Sequence, residues 1–361
     1  MISAETRWNP RRPFRLRRCD MKGFIKEGTM KSTQPTMKDV AREAGVALGT
    51  VSKVFNGIPV GESYRTKVED AARKLGYQVN QYARGLRASK TYTVALILPG
   101  VDHPFFSALA QHICTELLRR DHRMLLYVTA SRPDVEQQCV QMVRQNRVDG
   151  IIGLTYNALE IDENLPFVSI DRFFSPNVPC VTADNYGGGR MAAEKLLELG
   201  CRHPAFLRTG STNPGEADKR GDGFKALCNA RNVPFDALEL NDGDDFGRFR
   251  DFFLSHRDSG GRLDIDGIFC STDLLAWRIQ QILEGLGIRV PEDVQIIGFD
   301  GSRHFDADGL YCSTIVQPIE KIAQTCVDFL LEKDRSNLPA LICLPVTYAA
   351  GGTTREPAEE G

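Results

Sequence analysis

Between residues 36 and 75, apolar positions recur at helical spacing in three short bursts. Val40, Ala41 and Ala44 form one face. Val51, Val54 and Phe55 recur at i, i+3 and i+4. Val68, Ala71, Ala72 and Leu75 form a third face, on a helix running from about Ser63 to Leu75. Thr36, with Asp39 three residues on, predicts a capped start. Gly45 supplies the turn between the first two helices, and Gly76 a stop for the third. Residues 80–88, NQYARGLRA, follow as a short helix capped by Asn80; helices under about 12 residues are marginal alone in water. From Thr93 the rhythm changes. Apolar runs at 94–100, 123–130, 149–154, 167–171, 205–210, 266–273 and 294–300 alternate with helical stretches, the first at about 104–120. This is a doubly wound α/β pattern.

The second short helix turns Gly49, Ser52, Lys53 and Asn56 away from its apolar face. A small helix with a small, polar and basic outer face suits the major groove of DNA. Charge supports that reading. Residues 1–35 hold nine Lys/Arg against three Asp/Glu, and residues 36–90 hold ten against five. The rest of a chain with net charge −2 therefore carries −13. A basic end on an acidic body places nucleic acid at one end only.

Other classes lose ground on composition. No apolar run reaches the roughly 18 residues of a membrane span. The basic N-terminus lacks an apolar run of signal-peptide type, so a cytoplasmic location is expected. The ten cysteines are scattered singly, without C-x-x-C, and read as reduced. The six histidines show no ligand spacing, so no metal site and no cofactor is expected.

The run D-V-A-x-x-A-G-V-x-x-x-T-V-S-x-V-x-N stands from Asp39 to Asn56 with every fixed position filled. Here the chain resembles the lactose/galactose-repressor (LacI/GalR) family of transcription regulators, over roughly residues 36–352. The resemblance implies a small all-α helix-turn-helix headpiece and an α/β periplasmic-binding-protein-like core of two doubly wound parallel-sheet sub-domains. It implies a homodimer on double-stranded, inverted-repeat operator DNA, controlled by a small, sugar-like effector. Leu48, Gly49 and Lys53 match the positions that reach base edges. Thr50, Ser52 and Asn56 match phosphate or packing positions. Tyr77, Asn80, Ala83 and Leu86 complete the expected DNA set, with Leu86 as a minor-groove wedge. Ala47 replaces a usual capping serine, and Val79 a usual proline.

Ligands of open parallel sheets bind beyond the carboxyl ends of the strands. Phe105 and Phe106 follow the first strand, Asp171 ends the fourth, Thr272 and Asp273 close the run at 266–273, and Asp300 ends IIGFD. Arg220 opens R-x-x-G-F, the family's effector-clamping motif. A guanidinium and a carboxylate facing one cleft can each hold a pair of hydroxyls. The structural alternatives are that Asp273 and Asp300 cap loops, that Arg220 makes a surface ion pair, and that the phenylalanines are core. Glu216, in the loop 211–219, also falls where a ligand contact is possible.

The expected organisation is a disordered basic tail at 1–35, a helix-turn-helix domain at 36–79, and a hinge at 80–92. The core at 93–352 divides into sub-domains 93–182 with 317–343 and 183–315 with 344–352, before a tail at 353–361. Translation beginning at Met21, Met30 or Met37 would equally explain the first segment. Two other functions compete. One is a sugar-binding protein of periplasmic type without a regulatory role. The other is an enzyme, but no G-x-S-x-G, Walker loop or dinucleotide fingerprint is present, and the cleft carboxylates lack an accompanying base, nucleophile or metal. The glycines at 187–189 read as a flexible helix start.

Overall fold

The computed structural model describes residues 35–77, 90–157, 159–161, 165–304 and 309–355. They belong to two units divided at Asn80.

The first unit holds α1 (Met37–Ala44), α2 (Leu48–Phe55) and α3 (Glu62–Leu75). The start of α1 is tied by a reciprocal pair: Thr36 Oγ1 accepts from the Asp39 N–H, and the Asp39 carboxylate accepts from the Thr36 N–H at 2.9 Å. Gly45 and Gly76 both end helices in the left-handed conformation, at φ 64° and 63°, where a side chain would be strained. Val40, Ala41, Val51, Val68, Ala71 and Ala72 fill the interior, with Val54, Phe55, Leu75 and Tyr77 packed around them.

The second unit is built on two six-stranded sheets. Its elements are β1 (Thr93–Leu98), α4 (Pro104–Arg119), β2 (Arg123–Val128), α5 (Pro133–Gln145), β3 (Gly150–Leu154), β4 (Phe167–Ile170), β5 (Cys180–Ala183), α6 (Asn185–Glu198), β6 (Pro204–Gly210), α7 (Lys219–Ala230), β7 (Asp236–Asn241), α8 (Arg248–Ser255), β8 (Gly267–Cys270), α9 (Asp273–Gly285), β9 (Gln295–Asp300), β10 (Ser313–Val316), α10 (Ile319–Leu331), β11 (Leu341–Leu344) and β12 (Thr347–Ala349). The first sheet runs β11-β5-β4-β3-β1-β2 and the second β12-β10-β9-β8-β6-β7. All pairings are parallel except that of β12 with β10. That antiparallel pair lies at the edge of an otherwise parallel sheet. In each sheet the strand order reverses beside the first strand, β1 or β6, which makes a crevice at the strands' carboxyl ends.

The chain leaves the first sheet after β5 and the second after β10, then passes between them once more from Leu344 to Thr347. Strands β5, β7, β10, β11 and β12 were not among the runs expected from periodicity. Of these, β5, β10, β11 and β12 are only three or four residues long, and β7 and β11 alternate in exposure, so none offers the long continuous apolar run of a buried strand. The largest apolar cluster spans both sheets, from Val94 and Leu96 to Phe206, Phe224, Phe269 and Phe299. All nine cysteines among the described residues are free. Among these residues no helix is long and apolar enough to cross a membrane.

Candidate functional site

In the first unit, burying Val51 forces the opposite face of α2 outward. Leu48 is 42% exposed, and Gly49, Lys53 and Asn56 are exposed beside it. Thr50 and Ser52 are half-buried, and Asn56 Nδ2 donates to Ser52 Oγ at 3.2 Å. The face is small, with one cation and several hydrogen-bonding groups, as a groove-reading helix requires. Its start is bare: Ala47 makes no side-chain cap. Tyr77 packs its ring 5.4 Å from that of Phe55, and burial raises its hydroxyl pKa. It sits as a partly buried packing residue. Asn80, Ala83 and Leu86, with hinge residues 80–89, lie outside the described residues.

In the second unit a cavity of about 310 Å³ opens at the carboxyl ends of both sheets. Phe105, Phe106, Asp171, Arg220, Thr272 and Asp300 all line it. The fold thus brings together all six residues expected from sequence, though they span 196 positions of chain.

Arg220 occupies the second position of α7, and its placement comes from glycines. A Cβ on Gly189 would lie 1.9 Å from Arg220 O, and one on Gly223 2.0 Å from Tyr186 O. Helices α6 and α7 therefore cross backbone to backbone. The 187–189 glycines are a close-contact surface, not the flexible start expected. That approach lets Arg220 Nε donate to Asn185 Oδ1 at 2.7 Å, while Nη1 donates to Ser271 O at 2.6 Å. The guanidinium lies 3.7 Å from the Phe299 ring centroid and 3.7 Å from Asp300 Oδ1. Its side chain is only 5% exposed, so the surface ion-pair alternative fails.

Asp300 is held at φ 129°, a strained conformation for a residue with a side chain. Gln317 Nε2 donates to its Oδ1 at 2.8 Å, while Oδ2 is buried without a partner. Burial raises the Asp300 pKa, against the opposing pull of Arg220. Asp171, at φ 54°, accepts from Thr182 Oγ1 at 2.6 Å, and burial raises its pKa too. Ser271 Oγ is a second buried oxygen without a partner in the cavity wall. The inner end therefore has an excess of acceptors, which ligand hydroxyl groups can satisfy.

The remaining expected residues divide. Thr272 lines the cavity but also caps α9, accepting from the Leu275 N–H at 3.1 Å. Phe105 is 4% exposed and belongs to the core cluster; Phe106 is the more accessible ring. Asp273 takes the structural alternative, fully buried and accepting from Ser302 N and Thr314 Oγ1 at 2.6 Å each. Glu216 pairs with Lys219 at 2.6 Å and does not line the cavity, which corrects the ligand-facing expectation. Sequence reasoning missed Asn185, Ser271, His103, Tyr156 and Arg278. Only Asn185 carried a signal, at a helix start beside the glycines. Burial and the Arg220 charge lower the pKa of His103, whose ring lies in the wall. No group of three or more potential ligands for a metal occurs among the described residues.

A two-sheet core with a polar cleft, on one chain with a helix-turn-helix unit, defines a ligand-responsive DNA-binding regulator. Comparison with known proteins agrees. Residues 36–80 match the model of bacterial regulatory proteins of the lacI family, and residues 193–354 that of the periplasmic binding protein-like domain. The sucrose operon repressor of Streptococcus mutans is 33% identical, over 87% of this chain and 98% of its own. The ribose operon repressor of Bacillus subtilis is 31% identical, over 89% and 99%. A periplasmic binding protein/LacI transcriptional regulator from Alkaliphilus metalliredigens, solved with D-xylulofuranose, superposes with a TM-score of 0.64 at 27% identity, covering 73% of this chain and all of that one. The chain belongs to the lacI family of bacterial regulatory proteins.

Proposed function

We propose that this protein is an operator-binding repressor whose DNA affinity is set by a sugar or sugar derivative held in the core cleft. The observation that carries the reading is the buried Arg220–Asp300 pair, with one Asp300 oxygen unpartnered and half-buried Asp171 in the same cavity wall, on the same chain as an intact helix-turn-helix. The sucrose and ribose operon repressors among its relatives, and the D-xylulofuranose bound by the similar structure, support the ligand class. Phe106 offers a face to the apolar side of a sugar ring. Leu48, Gly49, Thr50, Ser52, Lys53 and Asn56 would face the operator, with Tyr77 supporting them and Asn80, Ala83 and Leu86 in the hinge. The core would act as two sub-domains, 93–182 with 317–343 and 183–315 with 344–352, that rotate as the cleft closes.

The working species would be a homodimer in the cytoplasm, without enzymatic activity, reading a two-fold operator. The surface of the first sheet supports association. Edge strand β2 exposes Leu125, Leu126 and Val128, and the neighbouring α4 exposes Leu118 at 61%. An apolar edge of this kind is a liability unless covered. Because effector control requires different affinity for two states, the ligand must prefer one cleft geometry.

The test is a fluorescence-anisotropy titration against imperfect palindromes from the gene's own upstream DNA, at two salt concentrations. We expect nanomolar binding to one palindrome, well above scrambled DNA, and a shift on adding sucrose or D-ribose. Equal, weak and steeply salt-dependent binding to every DNA would overturn the regulator reading.

A further inference from the structure

The loop after β6, residues 211–218, reaches across the cleft and bonds to the opposite lobe at two points. At its outer end Asn213 Nδ2 donates to Asn157 Oδ1 at 3.2 Å. At its inner end the Glu216 N–H donates to the carbonyl of Asp171 at 3.0 Å. Asn157 and Asp171 follow strands β3 and β4 of the first sheet, whereas the loop belongs to the second.

Asn157 is itself held in one orientation. Its Nδ2 donates to Ser131 O at 2.9 Å and to Glu136 Oε2 at 3.1 Å. A carbonyl can only accept, so the amide nitrogen must face Ser131 and the amide oxygen must face Asn213. Glu136 is fully buried and is further tied by Thr129 Oγ1 at 3.4 Å. A buried carboxylate is a costly anchor unless its lone pairs are used. Ser131 and its neighbour Ala130 are consecutive residues at φ 57° and 52°, a strained turn of the kind that gathers at working sites. Ser131 and Asn213 both line the cavity, from opposite lobes. The single amide of Asn157 thus joins the two walls.

The loop is shaped for this reach. Ser211 Oγ accepts from the Asn213 N–H at 3.1 Å, Asp218 Oδ2 accepts from the Gly215 N–H at 2.7 Å, and Asp218 pairs with Arg208 at 2.5 Å. A Cβ on Gly215 would sit 3.3 Å from Asp171 O, so the loop lies tight on the facing lobe.

We propose that Asn157 and Asn213 form a clasp between the two lobes, anchored on buried Glu136, that holds loop 211–218 closed over the cleft and biases the core toward its closed geometry. Both are positioning residues. The existence of the clasp is independent of what the cleft binds; its consequence for gene control rests on the cleft being the effector site. An effector that closes the lobes would find part of the closure already made. An effector that needs them apart must break this bond.

Hydrogen exchange of the full chain without ligand tests the clasp directly. Asn213 is exposed, so Asn213→Ala should fold normally. It should speed exchange at 211–218, including the Glu216 amide, by about three- to tenfold, one hydrogen bond's worth. Asn213→Asp should do the same, because a carboxylate cannot donate to Asn157 Oδ1. Asn157→Ala should match it, and the double variant should add nothing further. Unchanged exchange in Asn213→Ala would overturn the clasp. So would additive effects, or a response to Asn157→Ala alone, which would confine Asn157 to its own lobe. These results stand apart from the operator and sugar titrations, so failure of the ligand assignment would not be mistaken for failure of the clasp.

Discussion

The two units place polar chemistry in opposite settings. Among the described residues of the headpiece no fully buried side chain is larger than valine. Its side-chain cap, Thr36 with Asp39, sits at the solvent-facing start of α1, where it satisfies loose N–H groups and stabilises the fold. The core buries Phe206, Phe224, Phe249, Phe253, Phe269 and Phe299 completely. With that much apolar burial it tolerates Asp300 and Ser271 groups that find no partner. The headpiece uses polar groups to stand up. The core spends stability to keep a ligand site ready, a trade common at functional sites.

Arg220→Ala would break the contrast most forcefully. It leaves Asp300, Asn185 Oδ1 and Ser271 O facing a void at the heart of the core. Removing one partner of a buried ion pair costs about 3–5 kcal/mol. Calorimetry should show the core transition falling steeply, and the sugar response should vanish. Operator binding below that transition should survive; its loss would mean the two units do not fold independently.

One substitution at two glycines sharpens the comparison. Gly189→Ala drives a Cβ into the Arg220 carbonyl, where only backbone movement can relieve it. Overpacking of this kind costs about 1–3 kcal/mol, sometimes more. Gly49→Ala in α2 meets nothing within 4 Å and should stabilise the headpiece by about 1 kcal/mol through helix propensity. Ala47→Ser, supplying the missing cap, should contribute about as much. Amide-exchange protection across 36–77 reads the second pair. Equal signs at the two glycines would refute the assignment of Gly189 to a backbone crossing.

The smallest effect is in pH. Asp300 has its pKa raised by burial, so the folded core holds that proton where the unfolded chain, near 3.8, has lost it. Stability contributed this way falls as pH rises. Wild-type core should therefore gain on Asp300→Asn as pH drops from neutral toward the ordinary carboxylate range. Asp39 behaves oppositely. Hydrogen bonds from Thr36 lower its pKa below 3.8, so its contribution is complete above that value and lost only in stronger acid. A melting series between roughly pH 7.5 and 5 should move the core difference and leave the headpiece still. A flat core difference would mean Asp300 is ionised throughout, with Arg220 outweighing burial.

Much of the headpiece is legible because its determinants are local. Thr36 and Asp39 are three residues apart, and Gly45 and Gly76 act on the turns they occupy. Helical periodicity therefore found α1 and α2, and α3 to within a residue at its start. The long apolar strands of the core were legible for the same reason. Strands β5, β7, β10, β11 and β12 were not, because a short strand is defined by the neighbour it pairs with. The candidate cleft residues came from strand carboxyl ends and, for Arg220, from motif resemblance; their roles did not follow from either. Glu216 and Asp273 were also open as ligand contacts beside Asp300, yet one pairs with Lys219 and the other buries itself under Ser302 and Thr314.

By itself, then, the sequence determined the helix-turn-helix with its outward face, the α/β rhythm, and the residue types that a hydroxyl-rich ligand would need. Only the tertiary structure decided which carboxylates face the cavity and that Gly189 and Gly223 exist to seat Arg220. It alone brought Asn157 to Asn213 across 56 residues of chain. Caps and periodicity act over a few residues of backbone. Burial, donor pairing and close backbone contact are properties of chain segments that meet only once both sheets have closed.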